Sequence, residues 1–236
     1  MGFSSDQQDA MGQARIIGAM AMGRLIGGVD EAGRGPLAGP VIAACVILPA
    51  SRPTCQETPF LDSKLLKETA REQLFELIRR IAVAWAVGIA TPREIEQLNI
   101  HRASLLAMRR AVERLPLLPE WLLIDGRHAI PGCPLRQQAI IDGDAKEEVI
   151  AAASIVAKVV RDRLMREYDR LYPAYGFAQH KGYATPFHLQ QLHRLGPCPI
   201  HRRTFEPVAS LLDAQGFDTD LLRLSNRPTA LAMPRA

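Results

Sequence analysis

The chain has 236 residues, 47% of them hydrophobic and 23% charged, with a formal net charge of +4, enough to bury one substantial core in one or two domains. No apolar run reaches the ~18 residues of a membrane helix, and the start of the chain lacks the basic segment and long apolar core of a secretory signal, so the cytoplasm is the expected compartment and no membrane partner is expected. Four cysteines without a CxxC pair, Cys45, Cys55, Cys133 and Cys198, argue against a zinc knuckle or redox motif and read as core or partly buried thiols.

Residues 1–23, rich in Gly, Gln, Ser and Met, read as a flexible leader. Leu25 to Glu31 reads as a strand, and after a Gly/Pro turn Val41 to Leu48 reads as a second. In "DSKLLKETAREQLFELIRRI" Ser63 is a candidate cap for an amphipathic helix with Leu66, Leu74, Leu77 and Ile78 near one stripe. "AVAWAVGIA" follows as a third strand. "TPREIEQLNIHRASLLAMRRAVERL" then opens a helix with Thr91 as cap, Pro92 at its first position and Glu94 as the other half of a capping box. "EWLLIDG" is a buried strand ending at Asp125-Gly126, and "AIIDGD" is a further strand ending near Asp144. An Ala-rich helix, "KEEVIAAASIVAKVVRDRLMREYDRLY", closes the series. Strand pairs first and strand-helix alternation later predict an α/β fold, a mixed β-sheet flanked by helices. The catalytic core is expected over 24–208, with a C-terminal helical extension from about 185 and a weakly ordered tail over 209–236.

Asp30, Glu31, Asp125 and Asp144 each stand at or just past a strand end, where open α/β sheets gather ligands. Converging carboxylates repel one another, and hard divalent cations such as Mg²⁺ or Mn²⁺ relieve that repulsion through all-oxygen ligation. Taken singly, each DG dipeptide reads equally as a turn. Asp30 and Glu31 are adjacent, so on a regular strand they point to opposite faces. Both can address one site only if the strand twists out or bulges at Ala32-Gly33. Gly33 and Gly35 flank Arg34 and let backbone amides approach a ligand closely; a solvated glycine turn is the plain alternative. The chemistry suited to such a cluster is phosphodiester hydrolysis by two metal ions, without a side-chain nucleophile. From Arg170 through Phe205 no acidic residue occurs, and Arg202 and Arg203 in that stretch are expected to extend a duplex-binding surface through phosphate contacts.

These stretches together resemble bacterial ribonuclease HII, a type 2 ribonuclease H with an RNase H-like fold. "GVDEAGRGPLAGPV", "DSKLL", "LNIHRASLLAM", "LLIDG", "GDAKEEVIAAASIVAKVVRD", "YPAYGFAQHKGYATPFH" and "LGPCPIHRRTFEPV" carry the likeness, in order, across nearly the whole core. The resemblance implies hydrolysis of the RNA strand of RNA-DNA hybrids and nicking 5′ of ribonucleotides embedded in duplex DNA, leaving 3′-hydroxyl and 5′-phosphate ends. It assigns Asp30, Glu31, Asp125 and Asp144 to catalysis and to two Mg²⁺ or Mn²⁺ ions. It assigns Gly33, Arg34 and Gly35 to reading the 2′-hydroxyl through backbone groups, Tyr183 to stacking on the junction sugar, and Lys64 to a phosphate; a core-packed tyrosine is the plain alternative for Tyr183. The chain departs from the family at Arg127, where Asn is common, and at Asp142, which adds a fifth nearby carboxylate outside the expected ligand set. A metal-dependent DNA nuclease of the same fold and a catalytically silent hybrid-binding protein are the competing functions. The tail has no clear clamp-binding peptide, and monomer is the default.

Overall fold

Five strands, β1 (Ile26–Ala32), β2 (Val41–Ile47), β3 (Ala84–Ala90), β4 (Trp121–Asp125) and β5 (Arg136–Ile140), pair into one sheet in the order β3-β2-β1-β4-β5. The computed structural model describes residues 24–49, 60 and 67–215, so the leader 1–23, Ser63, Lys64, Leu66 and the chain after 215 lie outside the described residues. Strands β1, β2 and β3 form an antiparallel meander. Strands β4 and β5 run parallel to β1. The carboxyl ends of β1, β4 and β5 therefore share one end of the sheet, which positions the site.

Central β2 is buried along its whole length and edge strand β3 alternates buried with half-buried residues, as expected for neighbours covered on both faces or mainly one. One face, carrying Val29, Ala43 and Cys45, packs on Ala103, Ala107 and Met108 of helix α3 (Ile100–Glu113). The other, carrying Ile42, Ala44 and Val46, packs on Ala151, Ile155 and Val159 of helix α5 (Glu148–Leu171). Alanines on α5 bring its backbone close to the sheet. At Gly28 a Cβ would lie 2.2 Å from the Val149 carbonyl, so only glycine admits the helix there. Leu122, Leu123 and Ile124 of β4 are fully buried, each such side chain contributing ~1.5–3 kcal/mol.

Helix α1 (Glu68–Ile81) starts later than the sequence pattern predicts, and its cap position is Lys67, without a side-chain cap bond. Its Phe75 and Ile78 are buried against α5 residues. The Thr91 capping box forms as expected, with Glu94 N–H donating to Thr91 Oγ1 at 3.3 Å and Thr91 N–H donating to Glu94 Oε2 at 2.9 Å. The single helix expected after it is two: α2 (Pro92–Leu98) and α3 meet at Asn99. Asn99 adopts φ 67° and its side chain accepts from the Arg102 N–H at 3.1 Å, ending one helix and capping the next. Asparagine tolerates that conformation, and its own side chain supplies the bond the broken helix lacks.

After β5 the chain forms the single turn α4 (Gly143–Lys146), then α5, the short helix α6 (Phe177–His180), α7 (Pro186–Leu195) and α8 (Val208–Gln215). Strand β5 thus ends before Asp142, and Asp144 sits on a helical turn beyond it. Val208 and Leu212 of α8 pack with Leu37 and Leu192. Among the described residues no helix is long and apolar enough to cross a membrane.

Candidate active site

The parallel register of β1 and β4 runs from Ile26 beside Trp121 to Val29 beside Ile124; one step further come Asp30 and Asp125. Strand β1 neither bulges nor breaks at this point, since Asp30, Glu31 and Ala32 remain paired with Ala44, Ala43 and Ile42 of β2. The twist-out expected from sequence is absent. Asp30 faces α5, where the Ser154 side chain hydrogen-bonds its carboxyl, and Glu31 faces α3 across a cleft. The two carboxylates straddle the end of the sheet, and Asp125, at a strand terminus, interacts with both.

Burial makes this arrangement electrostatically costly. Asp30 is 3% exposed, and desolvation, then the Glu31 and Asp125 charges, hold its carboxyl well above the usual carboxylate range. Its Oδ1 accepts the Glu31 N–H at 2.6 Å. Glu31 is also raised, mainly by burial; the Arg34 guanidinium, 3.2 Å from Oε1, opposes that shift. Asp125 Oδ1 accepts the Gly143 N–H at 2.8 Å, which ties the turn bearing buried Asp144 to the end of β4. Asp142, in a left-handed conformation (φ 54°), is exposed. A cleft of about 350 Å³ opens on the α3 side, lined by Glu31, Asp125, Arg127, His128, His101 and Ser104 among others. Among the described residues no group of three or more His, Cys, Asp or Glu side chains stands close enough to share one ion. The donors nonetheless suit a hard divalent cation: oxygen-only, like-charged and partly desolvated, they carry a repulsion that such an ion removes.

The glycine-arginine-glycine loop lies beside these carboxylates. Gly33 adopts φ +100°, and a Cβ there would meet Arg161 Nε at 2.1 Å. The Arg202 guanidinium holds the loop from beneath, donating to the carbonyls of Gly39 (3.0 Å), Arg34 (2.7 Å) and Gly33. In a trans peptide C=O and N–H point oppositely, so carbonyls turned inward at Gly33 and Arg34 turn the N–H groups of Arg34 and Gly35 outward. Both residues are exposed. Arg161 makes a second set of bonds, to the carbonyls of Pro40 (3.1 Å), Ala38 (3.1 Å) and Lys181 (3.0 Å).

Tyr183 is 45% exposed, which removes the core-packed alternative. Its ring lies beside the loop: a Cβ on Gly35 would be 3.8 Å from Tyr183 Cε1. Lys158 Nζ stands 6.0 Å from the Tyr183 ring centre.

The basic 170–205 stretch divides: Arg170, His193 and Arg194 are exposed, whereas Arg202 is fully buried and His180, Lys181, His188 and His201 are buried. Burial, then the nearby Arg161 charge, lowers the Arg202 guanidinium to about 9. Each of its three nitrogens donates to a carbonyl and the side chain is wholly buried, so it does not reach a phosphate. Arg203 is half-buried, with its N–H donating to Glu96 Oε1 at 3.1 Å. Sequence reasoning missed Ser154, Arg161 and the structural use of Arg202. The available signal was a hydroxyl and a guanidinium placed on the buried stripe of an Ala-rich helix.

A family model described as Ribonuclease HII matches residues 27–208. The chain belongs to the ribonuclease HII family. The ribonuclease HII of Maricaulis maris is 53% identical over 199 residues, 84% of this chain and 88% of that protein. That of Nitrosococcus oceani is 52% identical over 200 residues, 84% and 97%. Among solved structures, ribonuclease H2 from Pyrococcus horikoshii superposes with a TM-score of 0.71 at 27% identity, covering 80% of this chain and 98% of that one. The ribonuclease HII of Archaeoglobus fulgidus, solved as a complex with PCNA, gives 0.60 at 26% identity, covering 77% and 95%. The mixed sheet flanked by helices expected from the order of elements, and the RNase H-like fold implied by the resemblance, are the fold of these ribonuclease HII relatives.

Proposed function

We propose that the chain hydrolyses the RNA strand of RNA-DNA hybrids and nicks 5′ of ribonucleotides embedded in duplex DNA, leaving 3′-hydroxyl and 5′-phosphate ends. Membership of the ribonuclease HII family supports the hybrid endonuclease activity. The observation that carries the site is the meeting of Asp30, Glu31 and Asp125 at one sheet end, charged alike and partly desolvated, beside a braced glycine loop and an exposed tyrosine. Asp30, Glu31, Asp125 and Asp144 would hold two Mg²⁺ or Mn²⁺ ions. Bound there, the ions supply activation of water and stabilisation of the departing 3′ oxygen.

The chain's own residues supply the rest. The outward N–H groups of Arg34 and Gly35 are donors for a 2′-hydroxyl oxygen, the one group that separates RNA from DNA at the cut. Arg202 sets their direction by pinning the carbonyls on the opposite side. Tyr183, whose ring stands where a Cβ on Gly35 would just touch it, offers a stacking face to the adjoining sugar. Ser154 orients the Asp30 carboxyl. Lys64, outside the described residues, is assigned to a phosphate. The same proposal takes 24–208 as the catalytic domain, with the helical part from about 185 as its extension, working as a cytoplasmic monomer.

Cleavage of three matched duplexes tests this: one ribonucleotide in DNA, a continuous hybrid, and DNA alone, each with Mg²⁺, Mn²⁺ or chelator and with product ends mapped. Metal-dependent cutting of the first two is expected. Equal cleavage of all-DNA duplex would make the protein a general nuclease, and binding without turnover in either metal would make it a silent hybrid binder.

A further inference from the structure

Beneath the Tyr183 turn lies a layer of buried imidazoles. His180, His188 and His201 are 9%, 0% and 1% exposed. They surround the Phe177 ring, with centroids 5.8, 5.5 and 5.6 Å away, and His180 stacks on His188 at 4.4 Å. An apolar cluster would fill this space without any polar group to satisfy, so each ring nitrogen needs a partner.

Main-chain groups decide the proton positions. The Cys198 N–H can only donate, and it meets His201 Nδ1 at 3.0 Å; that nitrogen is therefore bare and His201 carries its proton on Nε2. His201 Nε2 lies 3.0 Å from His188 Nε2, which must accept, so the His188 proton sits on Nδ1. His188 Nδ1 lies 2.8 Å from the Tyr183 carbonyl, which can only accept. The chain from Cys198 through His201 and His188 to Tyr183 thus has one direction and leaves no ring nitrogen over. His180 is its mirror: Nε2 donates to the Tyr175 carbonyl at 2.7 Å, and Nδ1 accepts the Gly182 N–H at 3.1 Å.

We infer that His188 and His201 are positioning residues for the reaction, a neutral two-imidazole relay that sets the Tyr183 main chain, and through it the ring, against the Gly33-Gly35 loop. The inference rests on the role proposed for Tyr183. The residue after His201 is Arg202, which pins Gly33 and Arg34, while the Leu37 N–H donates to the Gly182 carbonyl at 2.9 Å and the Gly39 N–H to Ile200 at 2.9 Å. One short segment, 198–202, therefore braces both substrate-reading elements and fixes their spacing. A ribonucleotide flanked by DNA presents a single register, so it tolerates a displaced ring less than a continuous hybrid does.

Two measurements test the relay. Long-range ¹H-¹⁵N correlation spectra of the intact protein at neutral pH should show His188 protonated on Nδ1, and His180 and His201 protonated on Nε2. A His188 protonated on Nε2, or on both nitrogens, overturns the relay without reference to any substrate. In parallel, His188→Leu and His188→Asn have equal heavy-atom counts, but only asparagine offers a donor at the Nδ1 position. His188→Leu should raise KM for the single-ribonucleotide duplex by roughly tenfold, the effect of one donor withdrawn from a buried carbonyl, with kcat and hybrid cleavage changed less; His188→Asn should restore most of the loss. Equal losses on both substrates in both variants, or none, would make the histidines purely structural and overturn the inference. Tyr183→Ala run alongside separates the two failures: if it cuts both substrates as the parent does, the role of Tyr183 falls even where the proton positions are as stated.

Discussion

The end of the sheet and the layer beneath the helical extension are both buried and polar, and they are satisfied to different degrees. Around Arg161, Arg202, His188 and His201 almost every donor has a protein acceptor within the fold. At Asp30, Glu31 and Asp125 like charges face one another, and among the described residues Ser154, Arg34 and two backbone N–H groups offset them. Satisfied burial holds loops in place. Unsatisfied burial stores a repulsion that a ligand of opposite charge relieves, which is the ground for proposing the sheet end as the reactive region and the arginine-histidine layer as its support.

The sharpest way to break this comparison is Asp30→Asn. It keeps size and removes charge, so nicking should fall by on the order of 10³-fold or more, through loss of the charge that metal-assisted hydrolysis requires, with substrate binding retained. Relief of repulsion should raise Tm by roughly 2–4 °C for each kcal/mol gained. A drop in Tm would place Asp30 among the structural groups instead.

Arg202→Ala should do the opposite. It orphans three buried carbonyls, costs about 3 kcal/mol or more, and lowers Tm, while leaving the salt dependence of duplex binding unchanged because Arg202 reaches no phosphate. A salt slope reduced by about one, with unchanged Tm, would return Arg202 to the binding surface.

Tyr183 belongs to the recognising side of the comparison but is exposed. Tyr183→Ala should cost ~1–3 kcal/mol of stacking on the single-ribonucleotide duplex, less on continuous hybrid, and nothing measurable in Tm; Tyr183→Phe should lose little. A fall in Tm with equal losses on both substrates would make it a packing residue.

Acidification gives the smallest effect and separates the regions by sign. Burial lowers His188 to about 4 and His201 to about 3, so the unfolded chain binds those protons first. Their stabilisation is whole above the ordinary histidine range and is lost as pH falls through it toward 4 and 3. Asp30 and Glu31 are raised, so the folded chain binds their protons first, and falling pH relieves their destabilisation. In metal-free protein, denaturant titrations across pH 7 to 4 should therefore show a shallower acid loss for His188→Leu than for the parent, and a steeper one for Asp30→Asn. The reverse order would refute the assignment of the two regions.

Local signals in the chain were enough for much of this architecture. Apolar runs marked β1 to β4, because a strand buried on one face must alternate and one buried on both must be apolar throughout; β5, Arg136–Ile140, lies mostly before the segment expected to form it. The Thr91 capping box was legible because its bonds join residues three apart. Asp30, Glu31 and Asp125 were legible as strand-end acids, and Asp144, on the helical turn past β5, from the motifs that carry the family resemblance. The break at Asn99 was not, since the helical spacing of apolar residues runs through it and masks the local cap that Asn99 gives the Arg102 N–H.

What the residues alone determined was the alternation of strands and helices, the acidic set and the glycine loop, all encoded within short windows. Tertiary structure decided that Asp30 and Glu31 straddle the sheet end without a bulge, because pairing with β2 continues through both residues to Ala32, while the parallel neighbour β4 ends at Asp125 beside them. It also decided that Arg202 faces inward. A guanidinium has five donors, and whether they meet phosphates or carbonyls depends on chain segments up to 169 positions away, which no local pattern of charge records.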